Sequence, residues 1–239
     1  MRSLFPIILA LSCLAANAAA QPPAPSAPPA TISLGPRQGR ATPQRHGFNH
    51  TGGGNIDVAQ PAPDTVVVTM TGVAVAGGHP AKDSLASLAF DLVQNFEVAF
   101  DKPETKTAKL TLEARVIGLL RSHRGGTAQQ GPAHAAVTAG PAALVAVDMP
   151  PHVVSGCEDL SVNDREGPAT VVIGPAKYCL HQTFAVTASH PRTLWCAKAS
   201  SAEFAPDPAL DPLWISYWEP FHGAIKKDFG FQVILKVAP

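Results

Sequence analysis

Between Leu88 and Phe100 nearly every second residue is bulky and apolar: Leu88, Phe90, Leu92, Phe96, Val98 and Phe100, with Gln94 as the one break. The other parity carries Asp91, Asn95, Glu97 and Asp101. Successive strand side chains point to opposite sides, so a period of two marks a strand with one buried face. A helix over residues 84–93 competes, with Ser84 as N-cap and Leu85, Leu88 and Leu92 as a stripe, but the alternation extends further. After a turn at residues 101–105, Leu110, Leu112, Ala114 and Val116 alternate with Lys109, Thr111, Glu113 and Arg115. Residues 88–121 therefore read as one long antiparallel hairpin with a core face and a water face. Glu97, Glu113, Lys109 and Arg115 are then charges on the wet face, not a catalytic pair.

The same chemistry recurs along the chain. Residues 65–76, TVVVTMTGVAVA, are dense in β-branched side chains, bounded by Pro61 and Pro63 and by Gly77-Gly78. Residues 133–139 and 143–149 form two short strands around Gly140-Pro141, and Pro150-Pro151 ends the second. Residues 153–166 read as irregular. Residues 170–173, 181–187 and 194–198 read as strands, and Phe231, Val233, Leu235 and Val237 alternate as a closing strand. No stretch has a long helical period. Many short strands with Gly/Pro turns point to an all-β chain, a single antiparallel β-sandwich or jelly roll over residues 56–239. Roughly 180 folded residues suffice for one sizeable core.

The N-terminal part has a different composition. Arg2, the apolar run of residues 4–14 and Ala18-Ala19-Ala20 have the order of a secretory signal, so residues 1–20 are expected to be removed before Gln21. A rival reading makes Cys13 a lipid-attachment cysteine. Residues 21–55 are rich in Pro and Gly and read as a disordered linker. The basic and histidine residues Arg37, Arg40, Arg45, His46 and His50 fall within it, as does Gly52-Gly53-Gly54. The triplet is no phosphate loop, because no Lys-Ser/Thr follows.

Formal net charge is zero, with no basic stripe for nucleic acid and no polybasic segment for an anionic membrane. No apolar run is long enough for a transmembrane helix. The expected location is secreted, periplasmic or cell surface. There Cys157, Cys179 and Cys196 can form one disulfide: Cys179–Cys196 is expected and Cys157–Cys179 is the runner-up.

Motifs with local chemistry are missing: no Gly-x-Ser-x-Gly, no His-Glu-x-x-His, no Cys-x-x-Cys. Tyr178-Cys179-Leu180-His181, with His134 upstream, superficially resembles the copper loop of the cupredoxins. It departs from that family in having one residue between Cys and His and no methionine after Met149. Alternation puts Cys179 and His181 on one face, yet a disulfided cysteine beside an ordinary histidine is the expectation. The histidines at 79, 123, 134, 152, 181, 190 and 222 are scattered, and a metal or catalytic site built from them needs folding to assemble it. Asp159, Asn163, Asp164 and Glu166 make an acidic loop that is a minor calcium candidate without EF-hand order.

All three tryptophans and both tyrosines lie between Tyr178 and Trp218. Trp214 and Trp218 share a side in either a strand or a helix. With Tyr217, Glu219 and His222 they form the candidate ligand face, for a polysaccharide or another surface protein. The competing reading makes these indoles a plug at one end of the core. The function expected is a secreted, non-enzymatic binding or structural module. The alternatives are a carbohydrate-binding module using Trp214 and Trp218, and an enzyme with a dispersed His/carboxylate site.

Overall fold

The computed structural model describes residues 30–46, 50–76, 83–102, 104–122, 126–156, 158–190 and 230–238. These residues form strands β1 (Ala30–His46), β2 (His50–Ala62), β3 (Thr65–Ala76), β4 (Ser84–Phe100), β5 (Ala108–Arg121) and β6 (Gly126–Gln130). Strands β7 (Ala133–Ala139), β8 (Ala142–Met149), β9 (His152–Gly156), β10 (Asp159–Ile173), β11 (Ala176–His190) and β12 (Gly230–Ala238) follow, with no helix among them. Two antiparallel sheets result. The larger runs β1-β4-β11-β6-β9, with β7 on β11 and β8 on β7; the smaller runs β10-β5-β12-β3-β2.

One apolar cluster fills the space between the sheets. The alternating residues of β4 (Leu88, Phe90, Leu92, Phe96, Val98) lie in it, opposite Val66, Val68 and Met70 of β3 and Phe231, Val233 and Leu235 of β12. Phe184 of β11 spans the two layers: its ring stacks on Phe90 within its own sheet and on Phe231 of the other, both at 5.8 Å. Burying a phenylalanine contributes about 1.5–3 kcal/mol, so this stack is a large local share of the core energy.

Glycine makes room for β4. Gly54 and Gly72 are directly paired between β2 and β3. A Cβ on either would lie 2.6 Å from Leu88 Cδ2, and one on Gly72 would lie 2.9 Å from Phe90. The side chains of one sheet thus rest on bare backbone of the other, which gives the third glycine of the 52–54 triplet a packing role.

Gly-Pro dipeptides punctuate the sheets. Gly140-Pro141 and Gly174-Pro175 are turns, while Gly35-Pro36, Gly131-Pro132 and Gly167-Pro168 fall where the pairing register slips by one residue. Such a bulge exchanges the two faces of a strand. Residues 126, 128 and 130 are buried before Gly131-Pro132, and residues 133, 135 and 137 after it. Gly167 has φ +96°, and a Cβ there would lie 2.8 Å from the Leu112 carbonyl oxygen, so the β10 bulge requires glycine. Gln94, the break in the β4 pattern, serves the first bulge: its Nε2 donates to Gly35 O at 2.9 Å and to Asn95 O at 2.8 Å. Asn95 Nδ2 donates to Pro36 O at 3.1 Å. Gln130 Nε2 likewise donates to Gly131 O.

Three expectations are corrected. The linker reading fails for residues 30–46 and 50–55, which lie in β1 and β2 at the sheet margins, while residues 21–29 lie outside the described residues. The Gly, Pro and Arg content of β1 and β2 is edge-strand chemistry, which resembles that of a linker. The 88–121 hairpin is two strands in different sheets: β4 pairs with β1 and β11, β5 with β10 and β12. Alternation reveals that one face is buried but not which strand lies alongside. Residues 153–166, read as irregular, hold most of β9 and the start of β10, an edge strand whose outer side faces water. The helix over 84–93 is likewise strand, while the 133–149 hairpin forms around its Gly-Pro turn as expected.

The C-terminal ends of β1, β3, β5, β9 and β11 and the N-terminal ends of β2, β4, β6, β10 and β12 lie at one end of the two sheets. In register terms His46 is beside Leu85, Ser84 beside His190, and Gly230 beside Thr71 and Ile117. The chain leaves β11 and re-enters β12 at this same end.

Candidate functional site

Trp214, Tyr217, Trp218, Glu219 and His222 lie outside the described residues, as do Cys157, Cys196 and residues 1–29. The described residues assemble something the local motifs did not reveal. On the outer face of the larger sheet, Arg40, Asp91, Thr183, His134 and Asp148 stand opposite one another in a single row across β1, β4, β11, β7 and β8. Four interstrand steps make the row about 19 Å long.

Two imidazoles are fixed in this row by carboxylates. His134 Nδ1 lies 2.7 Å from Asp148 Oδ1, and His181, one row along, places Nε2 3.1 Å from Asp91 Oδ1. The partners set the directions: His134 reaches toward β8 and His181 toward β4, so the rings splay apart on either side of Thr183. That divergence does not suit chelation, and no group of three His, Cys, Asp or Glu side chains among the described residues is arranged to hold a metal ion. Small side chains surround the row: Ala89 and Ala185 on one side, Ala136 and Ala146 on the other. The result is a strip of polar groups flanked in part by alanine methyl groups. Its residues are legible only after folding, since each strand contributes one or two.

A third pair joins the two sheets. His152 Nε2 of β9 lies 2.6 Å from Asp164 Oδ2 of β10. This engages Asp164 of the calcium candidates. Asn163 points to the other face, where its Oδ1 accepts from Arg115 Nη2 at 2.8 Å. Strand alternation thus separates Asp159, Asn163, Asp164 and Glu166 instead of converging them.

Cys179 and His181 do share a face, as expected, but the thiol has a different neighbourhood. Cys179 is a free thiol beside Thr138, and burial pushes its pKa up while the Thr138 hydrogen bond lowers it in part. That favours the protonated thiol over a nucleophilic thiolate. The two expected disulfides are out of reach. Along β11, Cys179 is eleven residues from His190, roughly 36 Å in a strand. Cys196 follows His190 by six residues, which span at most about 22 Å. The remaining gap of about 14 Å is twice the Cα separation a disulfide allows. Gly156 and Glu158 flank Cys157; Gly156 pairs with Gly126, beside the Thr127–Ser189 pair, so the Cys157–Cys179 runner-up fails for the same reason.

No protein-family model matches this chain, and no curated protein matches it. No helix among the described residues is long and apolar enough to cross a membrane.

Proposed function

We propose that the chain is an exported, non-enzymatic binding module of jelly-roll architecture, acting at the cell surface, in the periplasm or outside the cell. The strand order supports the architecture: β3-β12-β5-β10 in one sheet and β4-β11-β6/β7-β9/β8 in the other is the order of two interlocked Greek keys, with β1 and β2 added at one margin. One observation carries the binding reading, namely the polar row on the open face of the larger sheet. The paired strands β4, β11 and β7 hold its middle groups, and two of its ring orientations are preset by carboxylates. A site built in advance loses little ordering entropy when it binds.

Trp214 and Trp218 remain a second candidate platform, for a carbohydrate. What favours it is that all three tryptophans of the chain fall within residues 191–229, between β11 and β12. The experiment is a binding panel of insoluble and soluble polysaccharides and of surface-protein extracts with the exported protein. Trp214→Ala and Trp218→Ala are compared with wild type, and melting curves run in parallel. Binding that survives in both variants moves the site away from the tryptophans. Loss of folding in Trp214→Ala makes the indole a core plug and removes the platform reading.

A further inference from the structure

We infer that the row Arg40–Asp91–Thr183–His134–Asp148 is a docking strip for a neutral, hydroxyl-rich polymer, an uncharged polysaccharide laid across the strands. The inference rests on the binding-module reading and assigns it a surface and a ligand class. The first argument is charge. The two carboxylates of the strip each face an imidazole, Arg40 stands opposite Asp91, and formal net charge is zero. A strongly charged polymer gains nothing from such a surface, while an uncharged one pays little desolvation for it.

The second argument is hydrogen-bonding chemistry. His134 uses Nδ1 and His181 uses Nε2 for its carboxylate, so each ring keeps its second nitrogen for another hydrogen bond. Each carboxylate engages its histidine through one oxygen and keeps a second acceptor oxygen. With the Thr183 hydroxyl these are donor and acceptor groups side by side, matching sugar hydroxyls that both donate and accept. The third argument is shape. Ala89, Ala146 and Ala185 beside the row are exposed or half-exposed, and their small methyl groups suit the C–H faces of sugar rings, which are buried by dispersion. A run of about 19 Å accommodates several sugar units side by side with the strands.

The test is affinity electrophoresis and calorimetry of the exported protein with neutral β-glucan, xylan and mannan, and with an acidic polymer (polygalacturonate) as the charged control. The variants are Asp148→Ala, His134→Ala, Thr183→Val and the double variant Trp214→Ala/Trp218→Ala. Melting temperatures are recorded for each, and only variants that melt like wild type are scored. The inference expects binding to at least one neutral polymer, weakened about tenfold or more by each strip variant and retained in the tryptophan double variant. Loss in the tryptophan variant with full binding in all strip variants overturns the strip and leaves the binding module intact. Preference for the acidic polymer overturns the ligand class. No binding to any polymer overturns the strip's assignment, while capture of a surface protein in the separate panel would still uphold the module.

Discussion

Strand β11 has two faces built on opposite rules. Its inner side chains, Tyr178, Leu180, Gln182, Phe184, Val186 and Ala188, are buried in the common core. Its outer ones, Cys179, His181, Thr183, Ala185 and Thr187, are half-exposed. On the inside, energy comes from area and ring stacking, and shape must be filled. On the outside, charges are satisfied pairwise across strands and shape is free. The contrast is sharpest in the polar residues. His181 is half-exposed and has a carboxylate partner, whereas Gln182 is fully buried and neither of its amide atoms has a hydrogen-bond partner among the described residues. A polar group near solvent is easy to satisfy, and one in the core is not.

The largest effect should come from the inner face. Phe184→Ala removes a ring packed on both Phe90 and Phe231 and should cost about 3–5 kcal/mol in urea unfolding. A loss under 1 kcal/mol would mean the two sheets do not meet there. Gln182 should reverse the usual sign. Replacing it with the similarly shaped methionine removes an unpaired amide and should stabilise by roughly 1–2 kcal/mol. A lower melting temperature in Gln182→Met would show that the amide has a bonded partner in solution.

Cys179 tests the boundary between the faces. Burial raises its thiol pKa in the folded chain, so its contribution to stability is complete below the unfolded value of about 8.5 and lost as pH rises through the folded one. Tyr178, also raised by burial, adds the same sign at higher pH. Wild type should therefore lose stability between pH 8 and 10 more steeply than Cys179→Ser. Non-reducing peptide mapping should find Cys179 unlinked. Any bridge should leave Cys179 out and join Cys157 to Cys196. The smallest effect belongs to the outer face. The Asp148 side chain is 79 % exposed, and Asp148→Asn should change stability by no more than about 0.5 kcal/mol. A larger loss would make the His134 pair a structural clamp.

The inner face was legible in the sequence wherever a strand keeps one parity. β3, β4 and β12 were readable for that reason, and the all-β class followed from them. Bulges hid the rest. After Gly131-Pro132 and Gly167-Pro168 the buried parity changes, so β6–β7 and β10 show no uninterrupted alternation. Edge strands were harder still, since β1 has only its first few residues buried and otherwise carries the composition of a linker. Pairing partners were illegible because Asp101–Lys102 and the residues after them turn the chain in the same way whether it returns to its own sheet or crosses to the other. The candidate strip was illegible because its five residues come from five strands and lie up to 143 positions apart (Arg40 to Thr183). Gln94, by contrast, was visible as an anomaly in the pattern, and the bulge it serves explains it.

The position of β12 between β5 and β3 has a consequence for timing. Until residues 230–238 are present, the smaller sheet exists as two separate pieces, β10-β5 and β3-β2, each with an open edge where β12 belongs. Closing them requires contacts between Gly230 and Thr71, 159 positions apart, so the search is slow and late. A ribosome-bound chain cannot complete this sheet before those residues emerge. If the proposed export carries the chain across a membrane as an unfolded thread, that delay keeps the polypeptide threadable until translocation is under way. On the far side the same delay leaves two bare edges exposed, and there a chaperone for unpaired strands has the most to gain from meeting this chain.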